Sequence, residues 1–240
     1  MRVKAIIAYD GSLFKGFQKQ KSTKNTVTSA FETALYSLGI KDKICGSGRT
    51  DAGVHATGQT IDFLLPKFWS DLERLKEVLN QKLDGISVKY ISFVSDDFHS
   101  RFSAKKRRYR YVFKTTTPSV FEKQYISHYP PFNESVLEDA LKTFIGRHDF
   151  TNFMKTGTVT HTNIREIYSA RYRRYRNYHI IYFEANGFLR SQVRMMVEGA
   201  MQVSLNRLSL VELKRQLNLE ERIITKLAPP EGLYLAQIIY

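Results

Sequence analysis

The order of predicted secondary structure constrains the fold of this chain most, because the same order occurs in each half. Hydrophobic periodicity indicates strand, helix, two strands, helix and strand, which is the order of a ferredoxin-like unit. In the first half the strands are predicted at 2–9, 43–45, 57–65 and 86–94, and the helices at 27–38 and 69–83. In the second half the strands are predicted at 108–115, 164–172, 178–185 and 233–240, and the helices around 137–144 and 189–200. The sequence therefore predicts an α+β fold of two ferredoxin-like units that share a largely antiparallel sheet, with a cleft lined by loops between them.

The length and composition of the chain fit this architecture. A chain of 240 residues suits two domains of about a hundred residues each. No low-complexity linker separates the halves, and the boundary is predicted near His99–Arg101, giving units at 1–100 and 101–240. Hydrophobic residues make up 42% of the chain, which is enough for a packed core. Because no run of 18 apolar residues occurs, we expect no transmembrane helix.

The net charge of +14, from 37 basic and 23 acidic residues, indicates a polyanionic partner. No basic amphipathic helix with a bulky apolar face stands out, so nucleic acid is favoured over a membrane surface. Cations and tyrosines alternate at 105–111 and again at 171–176. Either stretch alone could be a charged strand edge that resists aggregation. Together they predict contact with RNA or DNA, with Arg107, Arg108 and Arg110 as candidates for binding the backbone.

The segment Gly46–Ala56 is the candidate reactive loop. It carries three glycines, one arginine (Arg49), one carboxylate (Asp51) and one imidazole between two predicted strands. Such glycines indicate positive φ or a close approach of other atoms, and loops held by a rigid sheet often carry reactive groups. A plain hairpin turn would use Asp51 only to bond local backbone. The single cysteine, Cys45, excludes an intrachain disulfide and fits a reducing cytoplasm.

Further short strings accompany this segment in a fixed order. They are Tyr9–Gly11, Gly16–Gln18, Gly48–Ala56 with Gly58–Gln59, Phe98–Phe102, Arg107–Tyr111, Gly146–Phe150, Phe188–Leu189 with Val193–Arg194, and Gly232–Leu235. Together these strings resemble the tRNA pseudouridine synthase A family over essentially the whole chain. The Arg-Thr-Asp-Ala-Gly-Val-His string at 49–55 is the most specific part of the resemblance.

The resemblance implies isomerisation of uridine to pseudouridine at positions 38–40 in the anticodon stem-loop of tRNA. It also implies a homodimer that needs no cofactor and no metal. By the same analogy Asp51 is the catalytic carboxylate, Tyr109 contacts the target base and Arg194 pairs with Asp51. Arg49 and Leu233 are expected in the same pocket.

Four positions depart from the family pattern. Phe17 stands in place of a tryptophan, Thr28 of a glutamine, Gln192 of a methionine and Glu198 of a glycine one helical turn after Arg194. Glu198 could bond Arg194 and compete with Asp51 for it. The alternative, which we expect, is that Glu198 faces solvent.

Three other functions compete with this interpretation. A metal-dependent nuclease could use Asp51, His55 and His99, but these residues lack a firm ligand spacing. A hydrolase built on Ser47 or Ser100 lacks the sequence context of a nucleophile elbow. A non-catalytic RNA-binding protein would explain the charge and the tyrosines but would leave the glycine-rich segment without a purpose.

Overall fold

The computed structural model describes residues 1–158 and 160–240 and shows a mixed α+β fold whose strands pair mostly in antiparallel fashion. This confirms the predicted fold class. The chain divides into two units, one formed by Met1–Lys105 with Tyr234–Tyr240 and the other by Lys106–Leu233. The predicted domains at 1–100 and 101–240 stay a prediction. Among the described residues, no helix has the length and apolar character needed to cross a membrane.

The first unit is built around its first strand. Its elements are β1 (Arg2–Tyr9), α1 (Val27–Ser37), β2 (Cys45–Gly46), β3 (His55–Leu64), α2 (Leu72–Lys82), β4 (Ile86–Phe93) and, from Tyr234 onward, β10 (Leu233–Ile239). β1 lies between β3 and β4 and is antiparallel to both. The short β2 pairs with β3, and β10 runs parallel to β3 at its start, where Tyr234 is paired with His55.

Alternation along β1 explains the core of this unit. Every second residue, Val3, Ala5, Ile7 and Tyr9, is buried, as a strand with one covered face requires. α1 begins after Thr26, whose side chain accepts the N–H of Ser29, and buries one apolar face. These elements match the prediction.

The second helix of the first unit begins later than predicted. The apolar pattern placed its start at Trp69, whereas α2 begins at Leu72 because Asp71 caps it by accepting the N–H of Arg74. Trp69 instead donates its indole N–H to the carbonyl of Leu38.

The second unit repeats the strand–helix order with additions. It contains β5 (Lys106–Lys114), β6 (Ser127–His128), α3 (Glu134–Lys142), β7 (Gly146–Asp149), β8 (Ile164–Tyr175), β9 (Tyr178–Ala185), α4 (Gln192–Ser204) and α5 (Leu210–Leu217). β9 lies between β5 and β8, and β7 pairs with the outer side of β8, all antiparallel. The predicted cap of α3 is confirmed, because Asn133 accepts the N–H of Val136.

The hairpin of β8 and β9 is longer than its sequence pattern suggested. β8 continues to Tyr175, which is paired with Tyr178, so only Arg176 and Asn177 form the turn. Arg176 adopts φ 56°, and the guanidinium of Arg174 donates to its carbonyl. This local bond supports a left-handed conformation that arginine seldom adopts, and it lets the cationic stretch stay in strand geometry.

The strands of the second unit have one covered and one open face. α3 packs against β8, and α4 packs against α3. Tyr109, Tyr111 and Phe113 of β5 are buried, as are Ile181 and Phe183 of β9. By alternation the intervening residues of β5 and β9 project to the opposite face.

Candidate active site

Asp51 opens a tight turn in the first unit. Its carbonyl accepts the N–H of Val54 at 3.2 Å, and Gly53 at the third position of the turn has φ +78°. A turn of this kind favours glycine where φ is positive. Asp51 is half-buried, whereas the neighbouring Arg49 and Ala52 are exposed.

The segment that follows β1 supports this turn by direct backbone contact. A Cβ on Gly11 would lie 2.1 Å from the carbonyl oxygen of Val54, so only glycine fits there. The N–H of Gly11 donates to Nδ1 of His55 at 3.0 Å. His55 is also stacked on Tyr234, with ring centroids 4.8 Å apart. Nδ1 must be the unprotonated ring nitrogen to accept that bond. The hydrogen bond and the stacking together fix His55 at the end of the loop.

Thr50, immediately before Asp51, is fixed from two directions. Its carbonyl accepts the N–H of Phe17 at 3.1 Å, and its hydroxyl lies 2.8 Å from that of Tyr9. The ring of Phe17 packs on Gly46, where a Cβ would lie 2.4 Å from the ring. Phe17, in place of the expected tryptophan, thus serves as a flat surface against the start of the loop.

Gln59 of β3 fixes the preceding part of the loop. Its amide accepts from the hydroxyl of Ser47 at 2.6 Å and donates to the carbonyl of Gly48 at 2.7 Å. Gln59 is fully buried, so both bonds are shielded from water. Ser47, one of the nucleophiles considered for a hydrolase, is thereby part of the structural support of the loop.

A second polar cluster in this unit contains Cys45, Asp62 and His99. Among the described residues these three offer ligand atoms within 4.8 Å of one another, and Asp51 and His55 do not belong to the group. Nδ1 of His99 accepts the N–H of Arg101 at 3.1 Å, so the ring proton resides on Nε2, which faces the sulfur of Cys45 at 3.6 Å. A neutral histidine needs an unprotonated Nε2 to ligate a metal there.

The rest of that cluster is engaged in structural bonds. Asp62 accepts the N–H of Ser100 at 2.8 Å and pairs with Arg2 at 2.5 Å. Burial raises the pKa of the Cys45 thiol, which keeps it neutral. Ser100, the other candidate hydrolase nucleophile, donates its hydroxyl to the carbonyl of Cys45. We therefore interpret the cluster as a structural set of hydrogen bonds that fixes residues 99–102 to the sheet.

In the second unit, Tyr109 lies on the covered face of β5. It is buried and meets Phe188 edge to face, with ring centroids 5.2 Å apart. This contact fixes the plane of the phenol ring. Phe188 precedes α4, which carries Arg194.

Arg194 is oriented by a segment that the sequence did not single out. Its Nε donates to the carbonyl of Ala228 at 2.7 Å, and the N–H of Ala228 donates back to the carbonyl of Arg194 at 3.2 Å. Residue 228 acts through its backbone, so its side-chain identity gives no sequence signal. The hydroxyl of Tyr111 lies 3.1 Å from the carbonyl of Pro229, which anchors the same segment just before Leu233, a buried residue at the start of β10.

Both hypotheses for Glu198 are wrong. The carboxylate is buried and accepts from the hydroxyl of Tyr129 and from the amide of Gln202, each at 2.8 Å, with Lys226 at 3.7 Å. These three are its partners among the described residues, so it neither faces solvent nor bonds Arg194. The reason is that α4 is buried on nearly all sides, which leaves no solvent-facing position at residue 198.

The other position in α4 that departs from the family pattern, Gln192, is also buried. Gln192 accepts the N–H of Leu189 at 2.7 Å and thereby closes the turn into α4. Ser191, between the two, has φ 61°, a left-handed conformation that a serine adopts only when its surroundings impose it.

The three arginines predicted to bind RNA backbone do not project together. Arg107 donates to the carbonyl of Asn186 at 2.6 Å. Arg108 and Arg110 alternate with Tyr109 along β5 and therefore project to the opposite face of the strand.

Arg108 shares a carboxylate with a neighbouring lysine. Glu184 of β9 is paired with Lys106 at 2.9 Å and with Arg108. The hydrogen bonds from Lys106 and then Arg108 lower the pKa of Glu184, so the group stays ionised.

Comparison with known proteins gives similarity over nearly the whole chain. A family model described as tRNA pseudouridine synthase matches residues 5–103 and 140–240. The tRNA pseudouridine synthase A of Helicobacter hepaticus is 40% identical, covering 99% of this chain and 98% of that protein. The enzymes of the same name from Wolinella succinogenes and Campylobacter jejuni serotype O:6 are 40% and 38% identical, with 98% and 100% of this chain covered and 93% and 100% of theirs. The segments matched to the family model contain Asp51, Arg194 and Leu233, whereas Tyr109 falls outside them.

The contact beneath the loop gives a first prediction. Gly11→Ala places a methyl group against the backbone of Val54, and we expect a loss of about 1–3 kcal/mol in the free energy of unfolding. Urea denaturation measures the loss. Gly187→Ala is the matched control, because its new methyl group would meet only the Arg165 side chain at 3.6 Å. Equal stability of the two variants would contradict the tight packing described.

The buried carboxylate gives a second prediction. Glu198→Gly leaves the buried Tyr129 hydroxyl without its acceptor and puts glycine inside a helix, so we expect a loss of about 2–4 kcal/mol in unfolding free energy. Glu198→Gln retains an acceptor oxygen and should lose less. Denaturation curves of both variants decide the matter, and a glycine variant as stable as the unaltered protein would contradict the assignment.

Proposed function

The chain belongs to the tRNA pseudouridine synthase family, and we propose that it converts uridine to pseudouridine at positions 38–40 in the anticodon stem-loop of tRNA. Asp51 is the proposed catalytic group. The observation that supports this choice is the placement of a single half-buried carboxylate at a turn whose flanking residues are fixed on both sides by backbone contacts.

The reaction explains why one carboxylate can suffice. The N1–C1′ glycosidic bond breaks, the uracil turns, and a C5–C1′ bond forms, while C5 loses a proton and N1 gains one. Nothing leaves and no electrons are transferred to another molecule. Attack on C1′, attack on C6 of uracil and a route through a glycal each require an ionised Asp51, as a nucleophile or as the base or charge that assists bond cleavage.

A rigid loop suits this role. The carboxylate must meet the ribose or the base in one geometry, and a loop fixed before the substrate arrives needs little reorganisation during the reaction. Gly11, Phe17 and Gln59 supply that rigidity through the contacts to Val54, Thr50 and Gly48.

Tyr109 and Arg194 are proposed to act on the same uridine as Asp51. Tyr109 lies against the base, and its oxygen accepts the proton that C5 loses while its own hydroxyl proton passes to solvent, which supplies the proton that N1 gains. Arg194 pairs with Asp51 and favours its ionised form. The hydrogen bond from Nε of Arg194 to the carbonyl of Ala228 fixes the orientation of the guanidinium and therefore of its terminal nitrogens. Leu233 is proposed to contact the base with its apolar side chain.

The substrate uridine must leave its stem before it can react. Enzymes that modify a base extrude it and offset the lost stacking by contacts in the pocket. We assign to the exposed Arg49 the role of filling the vacated space or holding the RNA backbone, and to Arg107, Arg108 and Arg110 contacts with phosphates. A homodimer in the cytoplasm completes the proposal. A tRNA substrate and a single unpaired cysteine support the location.

The proposal is tested with tRNA that carries tritium at C5 of its uracils. The purified protein should release label to water in the presence of EDTA, which excludes both a non-catalytic RNA-binding protein and a nuclease that needs a removable metal. Asp51→Asn should release none while binding tRNA as before, because the amide has the same shape but no charge. Asp84→Asn, an exposed change in the same unit, is the control and should react normally. Label release by Asp51→Asn near the unaltered rate would overturn the assignment.

Tyr109→Phe tests the second proposed role. The ring can still stack against the base, but without the hydroxyl we expect turnover to fall by about 10²-fold or more, as for the loss of a general base. Single-turnover rates and tRNA affinity should be measured together. Tyr36→Phe removes an exposed hydroxyl elsewhere and should change neither. A Tyr109→Phe rate equal to that of the unaltered protein would limit Tyr109 to stacking.

A further inference from the structure

The strands of the second unit carry a cationic surface on the face opposite Tyr109. Arg110 of β5, Tyr182 of β9 and Arg171 of β8 are directly paired across three adjacent strands. Neighbouring strands lie about 4.8 Å apart, so the tyrosine sits between two arginines in a row roughly 10 Å wide. Tyr182 is 36% exposed. This row is the centre of what we call the open face, which consists of Arg108, Arg110, Arg171, Arg173 and Tyr182.

The rows on either side extend the same pattern. Val112, Ile180 and Arg173 form the next row toward the hairpin turn, and Arg108, Glu184 and Ser169 form the row on the other side. Successive side chains on one face of a strand are about 6.8 Å apart. Arg108 and Arg110 on β5 and Arg171 and Arg173 on β8 therefore form two pairs of cations on either side of β9.

The open face carries an excess of positive charge. Glu184 is the acidic residue in these three rows, and Lys106 and Arg108 already engage its two oxygens. Within residues 1–158 and 160–240, the side chains of Arg171 and Arg173 have no ion-pair or hydrogen-bond partner, and both residues are exposed. Unpaired arginines beside an exposed tyrosine are suited to phosphate groups and to the faces of bases.

We propose that the open face binds the phosphate backbone of a second stretch of RNA, separate from the stretch whose uridine meets Tyr109. This inference rests on the proposed function. The physical reason is the alternation along β5, because Tyr109 points to the covered face while Arg108 and Arg110 point away from it. RNA held only at Tyr109 would not engage Arg171 and Arg173, which share the face of Arg108 and Arg110, so we assign to that face a different part of a tRNA larger than the stem-loop.

The charge pattern favours RNA over a second copy of this chain. In a two-fold symmetric contact the same patch meets itself, so arginines would face arginines. Like charges placed against each other oppose association. A polyanion instead gains affinity by releasing counterions from each neutralised phosphate, without reading the base sequence.

The test compares full-length tRNA with an isolated anticodon stem-loop for Arg171→Gln/Arg173→Gln. For full-length tRNA we expect weaker binding and a log–log salt slope reduced by about one and a half, for two lost phosphate contacts. For the stem-loop we expect unchanged affinity and an unchanged single-turnover rate. Arg171→Lys/Arg173→Lys keeps the charges and should restore most of the tRNA affinity.

Matched controls and three outcomes make this test decisive. Lys142→Gln/Lys214→Gln removes the same charge from α3 and α5, and its salt slope for tRNA should match that of the unaltered protein. Equal losses for tRNA and stem-loop, or no loss for either, would overturn the proposal. If light scattering showed that Arg171→Gln/Arg173→Gln has a different solution mass from the unaltered protein, the proposal would be overturned in favour of self-association through this face. Since binding is read directly, the result stands even if the unaltered protein forms no pseudouridine, an outcome that would count against the proposed function alone.

Discussion

The close approach of two backbone segments, at Gly11 and Val54, is the constraint on which the candidate site depends. The end of β1 and the start of β3 meet there without an intervening side chain, and His55 closes the contact by accepting the N–H of Gly11. The turn that presents Asp51 is therefore fixed directly against the sheet by backbone contacts. A short carboxylate can act reproducibly only when its backbone has little freedom.

In the second unit, hydrogen bonds and not close backbone packing fix the candidate site residue Arg194. Arg194 is long and flexible, and a reciprocal pair of bonds to Ala228 fixes its inner part. The segment that supplies Ala228 is in turn held by Tyr111. Buried and hydrogen-bonded supports of this kind limit the rotamers of a long cationic side chain.

Local sequence signals predicted the fold well where each was self-contained. The alternation of β1 and the Asn133 cap are read from a few neighbouring residues and were confirmed. The α5 helix was missed although Ser209 and Glu212 form a capping box, a signal that is legible in the sequence. The prediction that Glu198 faces solvent was wrong for another reason. Its carboxylate is bonded to Tyr129, which lies 69 residues away in the sequence, so no local pattern indicates its burial. The roles of the site residues rest on family resemblance, since no single-chain pattern shows which side chains share a substrate.

The contrast between Gly11 and Phe17 bears on how this sequence can change over evolutionary time. At Gly11 the obstacle is a main-chain carbonyl, which every residue type possesses, so no compensating substitution elsewhere can make room. At Phe17 the neighbour in the loop is the bare Cα of Gly46, against which a planar ring can pack without meeting a side chain. Substitution is therefore excluded at Gly11, whereas another aromatic residue can replace Phe17, even though both residues support the same turn.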